Sequence, residues 1–526
     1  MENVKLQKIC REKGVLLDNS LSEIFCSFEN TSFVNFFFEK TKSLTGKKFF
    51  NESLIKKNRS KIKIFVNEFY QNENSNSENF LQKLGIESSK IEEAFSEEIQ
   101  EKGGKVKVLF SPPTIPRKLG VGDFVTHFRN RYEEIRDILQ ERKELENLVS
   151  IGKLSKEKQK FSVIGMVYQK KVTKTKKIIL EIEDLTGKMK VLINPEKEEL
   201  LKECEDIPLD GVLGFRGVGS EEMMFVNEII FPDSTLPERK KSMIEEYAVF
   251  VGDLHFGSKN FLEKDFLKFI NYLNGGVPNT PEASKIKYLF IVGDLITGIG
   301  NYPNQEKDLK ISDLEEQFEE VAKVLGKIRK DIKIIITPGN HDGVRLMEPQ
   351  PLLDEKYAWP LYQLENVTLL GNPAVVNIGE TSSFEGFEIL MYHGFSFPYY
   401  ANTIPKLIEG KTMNQPEKIM NYLLKNRHLA PSHASTQYFP LEKDGLLIRK
   451  TPDIFVSGHT HKSGVVHYKN VMVVSVSSWE GLTPYQEKFG NKPDHCKVPL
   501  VNLKTRAVKI LDFETGEDGI RLYREE

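Results

Sequence analysis

A chain of 526 residues is too long for one compact core, and at roughly 150 residues per domain it has room for about three folding units. Its hydrophobic fraction of 39%, charged fraction of 29% and mean hydropathy of -0.38 describe a globular protein, and the lack of any run of about 18 apolar residues excludes a membrane-spanning helix. A net charge of -2 excludes a polycation that grips nucleic acid by overall attraction, while four scattered cysteines (Cys10, Cys26, Cys204, Cys496) with no Cys-x-x-Cys pair exclude a disulfide framework and a thiolate zinc site.

The opening segment MENVKLQKICREKG is polar and carries no apolar signal-peptide core, so a cytoplasmic location is expected. Apolar positions then recur at helical spacing (Leu6, Ile9, Cys10; Leu21, Ile24, Phe25; Phe33, Phe36, Phe37), predicting a small helical module over residues 1–70. No reactive set clusters there, which suits docking rather than chemistry. The polar stretch Asn72 to Asn79 and the three prolines of SPPTIPRKL from Ser111 predict a flexible linker over 71–117. From Phe124 to Leu148 charges and apolar residues alternate every three or four positions, predicting an amphipathic bridging helix within 118–155.

Residues 156–235 read as five short strands with a helix at Glu196 to Cys204 after the third, the pattern of an OB-fold β-barrel. Its lysine run (Lys170, Lys171, Lys174, Lys176, Lys177) is a candidate contact for nucleic-acid phosphates, and a solvated hairpin rim accounts for it equally well. From Tyr247 the pattern changes to continuous apolar runs separated by helices: YAVFVG, IKYLFIVG, IKIIIT, FEILMY and IFVS. Such runs are strands covered on both faces, so residues 245–526 are expected to form a layered α/β domain whose functional loops follow the strand C-termini.

Each of these five strands leads into metal-type ligands. Asp253 and His255 follow the first, Asp294 the second, Asn340, His341 and Asp342 the third, His393 the fourth, and His459 and His461 the fifth. Five of the ten histidines in the chain lie on these loops, a concentration that surface scatter does not produce. Imidazole and carboxylate together suit borderline divalent cations, and a bridging carboxylate can join two ions about 3.5–4 Å apart. Gly252, Gly293, Gly339 and Gly458 precede the ligands, where the backbone must turn without a Cβ in the way.

The motifs DLH, GD, GNHD, HG and GHTH resemble those of the calcineurin-like metallophosphoesterases, whose fold is a β-sandwich flanked by helices. The resemblance implies that Asp253, His255 and His461 hold one metal and Asn340, His393 and His459 the other, with Asp294 between them. It further implies that His341 faces the scissile phosphate and that Asp342 orients it. Manganese is the first expectation for both ions; iron, zinc and magnesium fit the same donors.

Outside these motifs, PGNHDGVRLMEPQPLL from Pro338 to Leu353, with an arginine (Arg345) and PQP after GNHD, resembles the small-subunit family of archaeal DNA polymerase D, within the polymerase B-subunits. Asp123 to Leu139, Asn426 to Pro431 and Ser477 to Leu503 are similar to the same family, and so is the domain order. The resemblance implies a 3'-to-5' proofreading exonuclease that hydrolyses phosphodiesters of DNA at a primer 3' end or in single strands, with Arg345 among the nucleic-acid contacts. The implied partner is the large catalytic subunit. Clamp binding would come with such a complex, although no motif for it stands in the sequence, and no membrane contact is expected. The rival readings are a non-catalytic scaffold subunit and a metal-dependent phosphatase.

Overall fold

The computed structural model describes residues 3–28, 30–51, 78–84, 104–114, 118–175, 177–194, 196–488, 492–514 and 521–525, with single positions between 54 and 70. Lys176 and most of the expected linker, residues 71–77 and 85–103, lie outside these. The chain divides into two compact units, the first comprising Met1–Glu101 and Asp354–Gln363, the second Lys102–Leu353 and Leu364–Glu526.

In the first unit the helices Asn3–Lys13, Asn19–Cys26 and Thr31–Thr45 follow the periodicity of the sequence, and two short strands pair in parallel, β1 (Leu16–Leu17) with β2 (Phe49–Phe50). Asp18 and Asn30 cap the second and third helices by accepting the backbone N–H of Leu21 and Phe33, groups with no partner inside the helix. The core is built on phenylalanines; Phe25, Phe33, Phe37 and Phe38 are fully buried, each worth about 1.5–3 kcal/mol of burial.

In the second unit the strand β3 (Val106–Phe110) precedes the long helix Val121–Gln140. A closed barrel follows, made of β4 (Gln159–Val172), β5 (Ile178–Glu183), β6 (Lys188–Ile193), β7 (Val212–Gly219) and β8 (Met223–Ile230), with helix Glu198–Glu205 after the third strand. Alternation puts Ile178, Leu180 and Ile182 of β5 inside and leaves the intervening residues half-buried. The same alternation corrects the reading of Lys170. Its ammonium points back and donates to the carbonyls of Cys204 and Ile207, both at 3.2 Å, and to that of Glu205. It thus caps the C-terminal end of the barrel helix, where backbone oxygens concentrate negative charge. Lys171, Lys174 and Lys177 remain exposed.

Residues beyond the barrel form two sheets. The first has seven strands in the order β12 (Val367–Leu369), β11 (Lys333–Thr337), β10 (Ile286–Val292), β9 (Tyr247–Val251), β18 (Lys497–Asn502), β19 (Val508–Asp512) and β20 (Arg521–Glu525). The second has six, β16 (Gly464–Tyr468), β17 (Val471–Ser475), β15 (Ile454–Ser457), β14 (Phe387–Met391), β13 (Ala374–Ile378) and β3. Phe250, Phe290, Ile335, Ile389, Met391, Val456 and Val474 pack between the sheets, with Phe250 and Phe290 stacked at 5.1 Å.

β3 is a departure from the sequence reading, which placed residues 106–110 in a flexible linker. Val106 pairs with Ile378 and Val108 with Val376, so the segment is the edge strand of the second sheet. Only five residues long, bounded by lysine and serine and largely exposed, it gives too short an alternation to stand out.

The helix Val121–Gln140 ends at Gln140, short of the expected Leu148, and buries His127, Arg131, Tyr132, Ile135 and Leu139. Arg131 donates through Nε to Asp444 Oδ2 at 2.7 Å and through Nη1 to the carbonyl of Pro431 at 2.8 Å. Nε2 of His428 lies 2.9 Å from the same Asp444 oxygen. The helix and the Asn426 to Pro431 segment, two of the stretches that carry the family resemblance, meet in this buried cluster.

Candidate metal centre

Strands β9, β10 and β11 run parallel, as do β14 and β15, so their C-terminal ends open on one edge of each sheet. The loops continue the strand pairing: Asp253 N–H donates to Gly293 O, His255 N–H to Asp294 O and Gly458 N–H to His393 O, each at 3.0 Å. Five candidate ligands, Asp253, His255, Asp294, His459 and His461, hold φ between 49 and 69°. Residues other than glycine occupy this left-handed region rarely, and concentrated strain of this kind marks sites where the backbone serves a ligand.

Two donor groups result. Asp253, His255 and His461 bring ligand atoms within 4.8 Å of one another, and so do Asp294, His393 and His459. Each group takes residues from both sheets. Oδ1 of Asn340 lies 3.1 Å from Nε2 of His393, adding a neutral oxygen to the second group. Two glycines make the approach possible. A Cβ on Gly293, at φ 79°, would stand 2.3 Å from Nδ1 of His393, and one on Gly339 would stand 2.2 Å from Oδ1 of Asp294.

The donor chemistry fits divalent cations. His393 donates from Nδ1 to the carbonyl of Val292 at 3.0 Å, which leaves Nε2 as a lone-pair donor 3.3 Å from Asp294. Nε2 of His255 and Nε2 of His461 face each other at 3.2 Å, and Nδ1 of His255 is buried without a hydrogen-bond partner. Two imidazole nitrogens meeting beside a carboxylate form a donor set that a divalent cation could use.

The buried carboxylates, together with burial itself, govern the charge of the neighbouring imidazoles. Burial opposes a proton on His393, yet the carboxylate of Asp294 outweighs it and pushes the imidazole up to about 10. His459, desolvated and facing His393, is pushed down to about 3. Asp294 is held well below the usual carboxylate range by His393 and His341 against the cost of its burial.

His341 stands apart from the donors. Its Nδ1 is 2.8 Å from the carbonyl of Thr297 and 3.2 Å from Nδ2 of Asn301, and its Nε2 lies 4.0 Å from Asp294 Oδ2. The expectation that Asp342 orients this ring is corrected by these bonds. The Asp342 carboxylate accepts instead from the backbone of Gly339 at 2.8 Å and Ile296 at 3.1 Å, staples the two ligand loops together, and is pushed up to about 7 by burial and by Asp294. The neighbours that hold the site, Thr297, Asn301, Asn372, Ser478 and Gln486, were missed in the sequence because they are ordinary loop residues. Ser478 Oγ donates to the Asp253 carbonyl at 3.1 Å, and the Gln486 amide lies 3.0 Å from Nδ1 of His461. Arg345, expected to reach nucleic acid, is half-buried, lies 3.5 Å above the ring of Phe439 and donates to the carbonyl of Pro349 at 2.9 Å.

Known proteins match this chain at two levels. The family of the B-subunits of DNA polymerases alpha and epsilon matches residues 248–465. The DNA polymerase II small subunit of Pyrococcus furiosus is 37% identical over 422 residues, 77% of this chain and 67% of that one. That of Methanothermobacter thermautotrophicus is 35% identical over 397 residues, 75% and 80% of the two chains. Among solved structures, Vacuolar Protein Sorting 29 from Cryptosporidium parvum is 17% identical with a TM-score of 0.27, covering 54% of this chain and 98% of its own.

Proposed function

Since the chain belongs to the family of archaeal DNA polymerase II small subunits, the polymerase D of the sequence reading, we propose that it is the 3'-to-5' exonuclease of that enzyme, removing nucleotides from a primer end by two-metal hydrolysis. The observation that carries this reading is the completeness of the two donor groups, each with its carboxylate and its imidazoles in place. A subunit kept only as a scaffold has no need of a set in which five ligand residues, on three of the loops, hold strained backbone.

Asp253, His255 and His461 would hold one divalent ion and Asn340, His393 and His459 the other, with Asp294 shared; the ions would supply an acidified water as nucleophile and neutralise the charge that builds on the phosphate oxygens. The protein's own part is positional and protonic. Thr297 fixes the His341 ring by accepting from Nδ1, which turns Nε2 toward Asp294. In that position His341 serves as the general acid, giving a proton from Nε2 to the leaving 3'-oxygen. The Asp342 staple keeps the loop that carries both His341 and Asn340 in register with the loop of Asp294.

The closed barrel is proposed to be an OB-fold and a surface for single strands. Tyr168 and Phe225 are exposed on it, and lysines stand over both rings, Lys188 at 4.1 Å and Lys158 at 5.9 Å. Exposed aromatic faces with adjacent cations stack bases and attract phosphates. The large catalytic subunit is the partner this family implies. Among the described residues no helix is long and apolar enough to cross a membrane.

The test is digestion of a primer-template labelled at its 5' end and mismatched at its 3' end, with Mn²⁺, by the chain and by Asp294→Ala. Stepwise shortening by the unaltered chain alone supports the reading. No shortening, with the large subunit added, would sink it in favour of the scaffold; rapid release of phosphate from a monoester with DNA left intact would favour the phosphatase.

A further inference from the structure

Behind the second donor group lies a buried relay of amides that the proposed chemistry does not use. Asn372, Gln350 and Glu348 are all buried. Asn372 accepts the backbone N–H of His393 on Oδ1 at 2.9 Å and donates from Nδ2 to Gln350 Oε1 at 2.7 Å and to Glu348 Oε1 at 3.4 Å. Gln350 then donates from Nε2 to the carbonyls of Gly339 and Arg345, each at 3.3 Å. Backbone bonds join the same residues, Gln350 N–H to Asn372 O at 2.6 Å and Asn372 N–H to Gln350 O at 3.0 Å. The hydroxyl of Tyr392, next to His393, donates to Glu348 Oε2 at 3.0 Å.

The direction of this relay is fixed at both ends. A side-chain amide can usually be turned end for end, but here a backbone N–H that only donates stands at one end and two carbonyls that only accept stand at the other. Each amide therefore has one allowed orientation, and reversing either would leave a buried polar group facing its like.

We infer that Gln350 and Asn372, braced by Glu348, are positioning residues for the half of the centre made by Asn340, His393, His459 and Asp294, an inference that rests on the two-metal reading above. Gln350 pins the carbonyl of Gly339, the residue before Asn340, and Asn372 pins the backbone of His393. Asn340 follows β11 of the seven-stranded sheet and His393 follows β14 of the six-stranded one, so the relay sets the spacing between two ligands that no single sheet could fix. The other half is held by different groups, Ser478 and Gln486. The relay also gives a physical reason for the Glu-Pro-Gln-Pro sequence, residues 348–351, that follows GNHD.

Gln350→Glu keeps the shape and reverses the polarity, setting an acceptor oxygen against two carbonyls. The full chain would be titrated with Mn²⁺ and read by bound metal and by the electron paramagnetic resonance signal of a coupled Mn²⁺ pair. The unaltered chain is expected to bind two ions and to give the coupled signal. The variant is expected to keep one ion at unaltered affinity, to bind the other about 10–100-fold more weakly, and to lose the coupled signal. Gln350→Met, which removes the donor without adding an opposing oxygen, is expected to weaken the same single ion by less, and it carries the test if Gln350→Glu does not fold. Two ions bound normally with the coupled signal intact would overturn the inference, and so would equal weakening of both ions with a lowered melting temperature, the mark of a merely structural role. An unaltered chain that binds no Mn²⁺ would overturn the two-metal reading itself, and the inference with it.

Discussion

His127, His428 and Asp444 are buried as deeply as Asp253, His255 and His461, and both trios sit in the same folding unit. They differ in what completes them. In the first, Arg131 enters the cluster and pairs with Asp444 at 2.7 Å, so that one fixed positive charge meets one fixed negative charge and the imidazoles stay neutral. Burial and the Arg131 charge outweigh Asp444 and push His428 down to about 4. Around the second trio and the donor group beside it, the ion pairs of Asp253 and Asp294 among the described residues are with histidines alone. Residual negative charge surrounded by imidazole nitrogens, rather than buried histidine as such, is what sets this candidate metal centre apart from the internal brace.

The largest effect should come from the side that lacks its own cation. Asp294→Ala is expected to reduce primer shortening by at least about 10³-fold, because the shared ligand and the partner of His341 go together; equal cleavage by the variant would erase the distinction between the two clusters. His341→Ala should cost about 10²–10³-fold while two Mn²⁺ remain bound, since the ring faces the substrate and holds no metal in this reading. Unchanged cleavage, measured in the same assay, would remove His341 from the chemistry.

On the braced side the effects should fall on stability. Arg131→Met leaves Asp444 buried without its cation, and denaturant unfolding should report a loss of about 3–5 kcal/mol with metal content unaltered. A smaller effect follows from pH. His428 has a folded-state value near 4 against an ordinary 6.5, so between these values the unfolded chain takes up a proton that the folded chain refuses. The contribution is therefore fully present above pH 6.5 and is lost as the pH falls toward 4, by about 3 kcal/mol at most. Urea midpoints at pH 7 and pH 4.5 should differ less in His428→Gln than in the unaltered chain; identical slopes would show that the cluster does not exclude the proton.

The convergence of the strand-end side chains was legible because a parallel sheet places its loops on one edge, so motifs far apart in sequence are brought together by topology alone. Their partition into two groups was legible only through resemblance. The relay of Asn372 and Gln350 was not legible, because an amide in a loop carries no periodic or charge signal. Lys170 shows a signal that was available and unused. It lies next to Lys171 on a strand, and neighbours on a strand face opposite sides, so the run could not point both lysines at one ligand. The Asp342 role failed for a related reason, since adjacency in sequence says little about which side chains meet in a tight turn.

The edge strand Val106–Phe110 ties the order of synthesis to the order of assembly. Its partner Ala374–Ile378 leaves the ribosome only after the whole barrel has been made, so the barrel can close while the strand before it still waits unpaired. The two sheets therefore cannot be cut out at the apparent boundary near residue 245. A fragment starting at Tyr247 would expose the backbone edge of Ala374–Ile378, a template for pairing with other chains, and expression would yield aggregates where a fragment retaining Val106–Phe110 stays dispersed.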